Sequence, residues 1–437
     1  MRDIAQRNAS PWLFHTSNKM GKGGQQPPKQ EDFLTSSRPS RCGKPLITAE
    51  HATLVAAVLP KDKLPTKKQI RDSIPPECFE HSYVSAFAHV IRDTAVVAMF
   101  AFLAASLLRT SNMTVVDVLG WQAYAFFQGA TLTGWWVLAH ACGHGGFSAS
   151  QFVNDCVGLV LHSVLLVPYY SWQYSHAKHH AKTNHLMDGE THNPNTQAEI
   201  EEAGYVALFH AIGEEGFAGF QLFAHLVVGW PAYLVTNATG ARRLYNHKPI
   251  EDNTLDHFRP WSKLFPPNWE RRIYVGTTCW IACFTAIWAA TYKFGIVPVA
   301  CFYWGPYLWV NFWLVLYTWL QHTSPEVPHF GDDEWTWVRG ALCTIDRPYA
   351  ELFGFFDWVH HHIGSTHVCH HLFSNLPCYH AVEATKHLKA YLKPLGLYNY
   401  DHDPVVTSMW KAAKECQYVE GTDGIHFPKA VRDLKKD

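Results

Sequence analysis

Two pairs of long apolar runs, each pair joined by only a few residues, limit what this chain can fold into more than any other feature. Ala95 to Leu108 reads AVVAMFAFLAASLL and extends back through Ile91 and Val90; Val118 to Ala139 follows after only RTSNMTVVD. Ile273 to Tyr292 and Ile296 to Leu320 form the second pair, with KFG between them. About 20 apolar residues cross a bilayer as a helix, and a backbone in lipid must satisfy its own hydrogen bonds, so each pair reads as an out-and-back helical hairpin. Two other apolar stretches are interrupted, Phe152 to Tyr170 by Asn154, Asp155, His162 and Pro168, and Gly219 to Val235 by His225 and Pro231. They are expected to lie on the membrane surface or to be re-entrant.

Composition agrees with a membrane-bound helical chain. Of 437 residues, 48% are hydrophobic, 14% aromatic and only 17% charged, and the aromatics suit interfacial belts as well as a core. The net charge of −1, with both signs mixed, offers no basic stripe for nucleic acid. Eleven cysteines without a CxxC pair argue against a disulfide framework. Residues 1–75 are polar and hold 13 Lys and Arg against 6 Asp and Glu, which reads as a disordered arm on the cytosolic side, with no secretory signal. Residues 76–420 form the membrane domain with its cap, and 421–437 a charged tail.

The 28 histidines are the compositional outlier, and they cluster. WQYSHAKHHAKTNH places His176, His179 and His180 at offsets 0, 3 and 4, on one face of a helix. THVCHH repeats those offsets with His367, His370 and His371, and HACGH, directly after the second span, supplies His140 and His144 at i and i+4. With four crossings all three clusters fall on the side that holds the arm. Eight imidazoles are too many for one ion and suit a two-metal site that keeps open positions for oxygen. His322, at the end of the fourth span, reads on position alone equally as a ninth ligand or an interfacial anchor. His162, His185, His192, His225, His329, His360, His361, His362 and His380 read as supporting or solvated residues. Asp188, Glu190, Asp346 and Asp357 flank the clusters, and each reads as a solvated loop acid rather than a partner that orients an imidazole. GHGG at 143–146 does not open a strand-to-helix phosphate loop, so no nucleotide site is expected.

With HACGH, HAKHH and HVCHH in this order, the chain resembles the membrane fatty acid desaturases from about Pro75 to Glu420, and most closely the acyl-lipid Δ12 (omega-6) oleate desaturases of the endoplasmic reticulum. VPYYSWQYSHAKHHAKTNH, GWPAYLVTNATG, YTWLQHT and EWTWVRGALCTIDRPYA support that likeness. The resemblance implies an all-α integral membrane protein with about four transmembrane helices and a cytosolic helical cap around two non-haem irons. It carries the ligand role onto His140, His144, His176, His179, His180, His367, His370 and His371, and adds His322. It implies O2 as co-substrate, a phospholipid-linked acyl chain as substrate and a cis double bond as product, with specificity set by the depth and bend of an apolar tunnel. Two departures stand out: Ala141 where this branch usually reads HECGH, and His362 where plant relatives carry Asn. No HPGG haem motif is present, so electrons are expected from a separate protein, cytochrome b5 with its reductase, or ferredoxin if the chain is plastidial. MGKGG at 20–24 looks like the start of microsomal relatives, which favours the endoplasmic reticulum. An omega-3 desaturase, and a hydroxylase or acetylenase with the same ligands, are the neighbouring alternatives. A His-rich metal transporter is the non-enzyme alternative, although it would place its ligands within the spans.

Overall fold

The computed structural model describes residues 59–251 and 255–434. The expectation for residues 1–58 therefore lies outside the described residues. Helices dominate: α1 (Tyr83–Leu107), α2 (Val115–Gly143), α3 (Gln151–Val164), α4 (Tyr169–Ala181), α5 (Tyr205–Thr236), α6 (Glu270–Phe294) and α7 (Ile296–Leu320) build the apolar body. Shorter helices α8 (Trp337–Leu342), α9 (Glu351–Val359), α10 (His367–Leu372), α11 (Ala381–Leu392) and α12 (Val405–Glu415) build a cap. Among the described residues strand is confined to two-residue segments, His329–Phe330 paired antiparallel with Ile425–His426, which ties the C-terminal segment to the cap.

Four helices are long and apolar enough to cross a membrane: α1, α5, α6 with its leading turn, and α7. α2 carries Gln122, Gln128, Thr131 and Thr133 in place of a uniformly apolar face. It can, because it is the inner helix: α1, α3 and α7 all pack on it, and Gln128, Thr131 and Thr133 are buried in protein rather than presented to lipid. Its 29 residues still span about 43 Å at 1.5 Å per residue. The two expected hairpins are thus α1–α2 and α6–α7.

α5 satisfies the length and composition of a span yet does not run like one. Gly213 breaks it with φ 74°, and a π-turn at Ala224–Val228 precedes Pro231. Glu214 and Glu215, part-way along, are held by Lys414 of α12 at 3.1 and 2.7 Å. The chain on either side is tied together by the Glu199–Arg242 ion pair at 2.6 Å and by the Asn193 N–H to Thr239 O bond at 3.1 Å. Both ends therefore lie on the cap side, a re-entrant course. α3 and α4 are likewise one apolar stretch bent by 107°. The bend falls at Leu165–Pro168, where Pro168 disfavours helix in the residue before it, and it turns α4 across the end of α2.

The cap reaches back into the stretch read from sequence as part of a polar arm. Leu59, Ile70 and Ile74 are buried with Val327, Phe330, Leu342, Leu372 and Leu388. Sparse apolar residues in a polar segment carry no periodic signal, so only the fold shows that residues 59–75 belong to this core.

Candidate metal centre

The ends of α2, α4, α7 and α10 meet beneath the cap, and each brings imidazoles. His140 lies in the last turn of α2 with His144 as its C-cap; His176, His179 and His180 share one face of α4; His322 follows α7; His367, His370 and His371 lie on α10. The ring nitrogens form two groups able to hold a metal ion, each within 4.8 Å: His140, His144, His176, His180 and His370 in one, His179, His322 and His371 in the other. His367 joins the second, its Nε2 3.0 Å from that of His322. The structure thus brings together all nine residues singled out from the sequence, and it divides the HAKHH helix and the HVCHH helix between two groups. That division was not readable from spacing.

A donor–acceptor count tests whether a metal fits. His179 Nδ1 lies 2.7 Å from the Glu190 carbonyl, which can only accept, so Nδ1 carries the ring proton and Nε2 is a lone pair. The Thr183 hydroxyl donates to the His179 carbonyl at 3.0 Å and therefore accepts from His371 Nδ1 at 3.0 Å. His371 Nε2 is then also a lone pair, and among the described residues it has no hydrogen-bond partner. His144 and His370 Nε2 are buried without a partner too. Between the rings, Nε2 atoms face one another at 2.8 Å (His140–His176), 3.1 Å (His176–His180) and 3.1 Å (His179–His322). His179 and His371 thus present lone pairs among imidazole nitrogens that converge at these separations, a donor set that fits two metal ions.

The electrostatics point the same way. Burial pushes His179 down to about 4 and His367 to about 3, and it holds His370 and His371 well below the usual imidazole range, with neighbouring imidazoles adding to the effect for the last three. Neutral imidazole is the ligating form.

The flanking acids are buried, not solvated. Glu190 orients His179 through its backbone carbonyl, while its carboxylate accepts from Tyr233 Oη at 3.0 Å and faces Lys178 at 3.5 Å. Asp346, 0% exposed, accepts the Val368 N–H at 2.7 Å and a bond from Tyr398 Oη, pinning the start of α10. Burial raises its carboxyl to about 7. Asp188 lies among Lys182, Arg243 and His247 at 3.5–3.8 Å, and Asp357 accepts from Ser365 at 3.3 Å. His361 is held by Asp93 of α1 at 2.7 Å, and His360 bridges Tyr317 Oη and the Ala130 carbonyl at 2.7 and 2.8 Å, so the HHH run fastens the loop before α10 to α1, α2 and α7. Thr183 was missed from the sequence; the signal available was its position four residues after His179, in the turn that ends α4.

Ala141 borders a cavity of about 30 Å³ beside His140 and His370. A larger cavity of about 320 Å³ borders His176 between α4, α5 and α7, walled by Trp136, Trp172, Phe220, Trp230, Val315 and Trp319.

The family model described as fatty acid desaturase matches residues 119–402, which hold every one of these histidines. The chain belongs to the fatty acid desaturase family. It is 39% identical over 376 residues to a Δ12 fatty acid desaturase of Mortierella isabellina, covering 83% of this chain and 90% of the relative. It is 38% identical over 355 residues to an endoplasmic reticulum omega-6 fatty acid desaturase of Brassica juncea (81% and 88%). An oleoyl-12-hydroxylase of Ricinus communis is 37% identical over 359 residues (82% and 88%). The chain is therefore a membrane-bound oxidoreductase acting on fatty acyl chains, with His-rich groups able to bind metal.

Proposed function

We propose that this desaturase is a Δ12 (omega-6) acyl-lipid enzyme that converts oleate to linoleate, using two non-haem irons held by His140, His144, His176, His180 and His370 on one side and His179, His322, His367 and His371 on the other. The observation that carries the chemistry is the pair of imidazole groups with lone pairs converging beside an apolar cavity; the position of the double bond rests on the Mortierella and Brassica relatives. Once bound, the irons supply the O2-derived oxidant that an unactivated methylene requires, since no side-chain base ionises such a bond. The overall change removes two hydrogens from the acyl chain and, with two electrons and two protons from outside, turns O2 into two waters.

The chain's own residues do the rest. Thr183 and the Glu190 carbonyl keep the ring protons of His371 and His179 on Nδ1, so that both rings offer Nε2. Trp136 and Trp172 wall the cavity beside His176 and keep bulk water from the reacting methylenes. The length of cavity beyond His176 sets which carbon pair stops at the irons. We place the enzyme in the endoplasmic reticulum membrane with the cap in the cytosol and cytochrome b5 as electron donor, as the Brassica relative's name and the likeness to microsomal enzymes suggest.

Expression in a host that makes oleate but no linoleate tests the reading. Linoleate with its new bond at Δ12 supports it; 18:3 from fed linoleate alone would make the chain an omega-3 enzyme. A 12-hydroxylated product is the second reading, favoured by the Ricinus relative at nearly equal identity. Metal analysis should return two irons per chain without haem absorbance. His179→Ala should abolish product and lower iron content, and retained activity would refute the ligand assignment.

A further inference from the structure

His179, His322, His367 and His371, the second group, are each less than 10% exposed beneath the cap, so a protein electron donor does not touch them directly. Electrons must cross the cap, and tunnelling falls off faster through empty space than along bonds. Trp335 offers a bonded route. It is half-buried on the cap, just before α8. Its indole N–H donates to the Thr183 carbonyl at 2.9 Å, and the hydroxyl of the same threonine receives His371 Nδ1–H at 3.0 Å. A ring that reaches the surface is thereby joined to an imidazole of the second group by two hydrogen bonds and the bonds of one residue.

This approach depends on Gly340. A Cβ there would lie 2.3 Å from the Thr183 carbonyl oxygen and 3.0 Å from Trp335 Nε1, so any side chain would force the indole off its acceptor. The Lys182 ammonium lies 4.5 Å from the ring centroid. A cation over the π face makes the ring harder to oxidise, so the indole couples donor to metal without becoming a radical itself. Tyr398 approaches the same region through Asp346, but that route ends on the Val368 backbone amide rather than on a ring.

We propose that Trp335 is the electron-entry residue of this desaturase: a one-electron haem carrier protein docks over it and reduces the metal site through Thr183 and His371, which rests on the two-metal reading above. Each transfer oxidises the carrier by one electron and reduces the site by one, and two transfers accompany each double bond. Trp335 acts through His371 and touches neither substrate nor metal, so it is a positioning residue for electron flow.

The test is anaerobic stopped-flow reduction of the iron-loaded full-length chain in nanodiscs, with reduced cytochrome b5 or with dithionite, in wild type, Trp335→Phe and Trp335→Leu. The first variant keeps a ring and loses the N–H; the second loses both. At saturating cytochrome b5, reduction should fall by at least an order of magnitude in Trp335→Leu and less in Trp335→Phe, while iron content and the dithionite rate stay at wild-type values. Unchanged reduction by cytochrome b5 would overturn the proposal, and so would a parallel fall with dithionite or loss of iron in both variants, which would make the role structural. Absence of iron in wild type would instead overturn the two-metal reading.

Discussion

Thr183→Val isolates how the second imidazole group is oriented. Valine keeps the β-branched shape and removes one hydroxyl, the group that donates to the His179 carbonyl and accepts from His371 Nδ1, each at 3.0 Å. The site is 1% exposed, so water cannot take the hydroxyl's place. Each buried polar group left unpaired costs about 1–3 kcal/mol. His371 can recover part of that by moving its proton to Nε2, but it then loses the lone pair that faces the metal site. Losing such an outer partner weakens metal binding about 10- to 100-fold, which is about 1.4–2.8 kcal/mol. Iron retained after dialysis against graded chelator, measured beside linoleate formed by the same preparation, reads this directly. The backbone carbonyl that receives Trp335 is untouched, so the variant tests imidazole orientation alone. Wild-type iron affinity in Thr183→Val would refute the reasoning that the hydroxyl fixes the His371 tautomer.

Other expectations follow from packing and charge. Gly129 lets α2 and α7 approach: a Cβ there would lie 2.4 Å from Trp309 Cβ and 2.7 Å from the Pro306 carbonyl oxygen. Gly129→Val should therefore lower stability by about 1–3 kcal/mol, seen as a lower thermal midpoint in detergent; an unchanged midpoint contradicts the close approach. Val315→Phe fills part of the cavity beside His176 and should shift the product profile toward shorter acyl chains at unchanged iron content; an unaltered profile would remove this cavity as the acyl site. Burial lowers His257 to about 4 and both His329 and His360 to about 3. The unfolded chain then takes up these protons first, so stability is full above pH about 6.5 and is lost progressively as the pH falls toward 4. The thermal midpoint should drop between pH 7 and pH 5, and a flat profile would count against the burial of these rings.

Much of the architecture was legible because it is written in local spacing. The α1–α2 and α6–α7 hairpins follow from apolar runs separated by a few residues, and the shared face of His176, His179 and His180 follows from the helical repeat. α5 was legible in part: His225 and Pro231 mark it as surface-lying or re-entrant although its length and hydropathy match a span, and the ion pairs that hold it to the cap, such as Glu215 to Lys414, join residues more than a hundred positions apart. The acids misled in a different way. Polar residues in loops are usually solvated, yet Asp188, Glu190 and Asp346 are buried because the cap folds over them, and burial of that kind leaves no periodic trace in the sequence.

The sequence by itself determined that the chain is helical, crosses a membrane in hairpins and carries three histidine clusters of ligating type. Those properties depend on residues within a turn or two of one another. Only the tertiary structure decided which imidazole joins which group, that Thr183 and the Glu190 carbonyl set their tautomers, that Asp346 pins α10, and that Trp335 reaches His371. The physical reason is range: these contacts join α2, α4, α7 and α10 across separations that loop closure and core packing select, and no single segment encodes them.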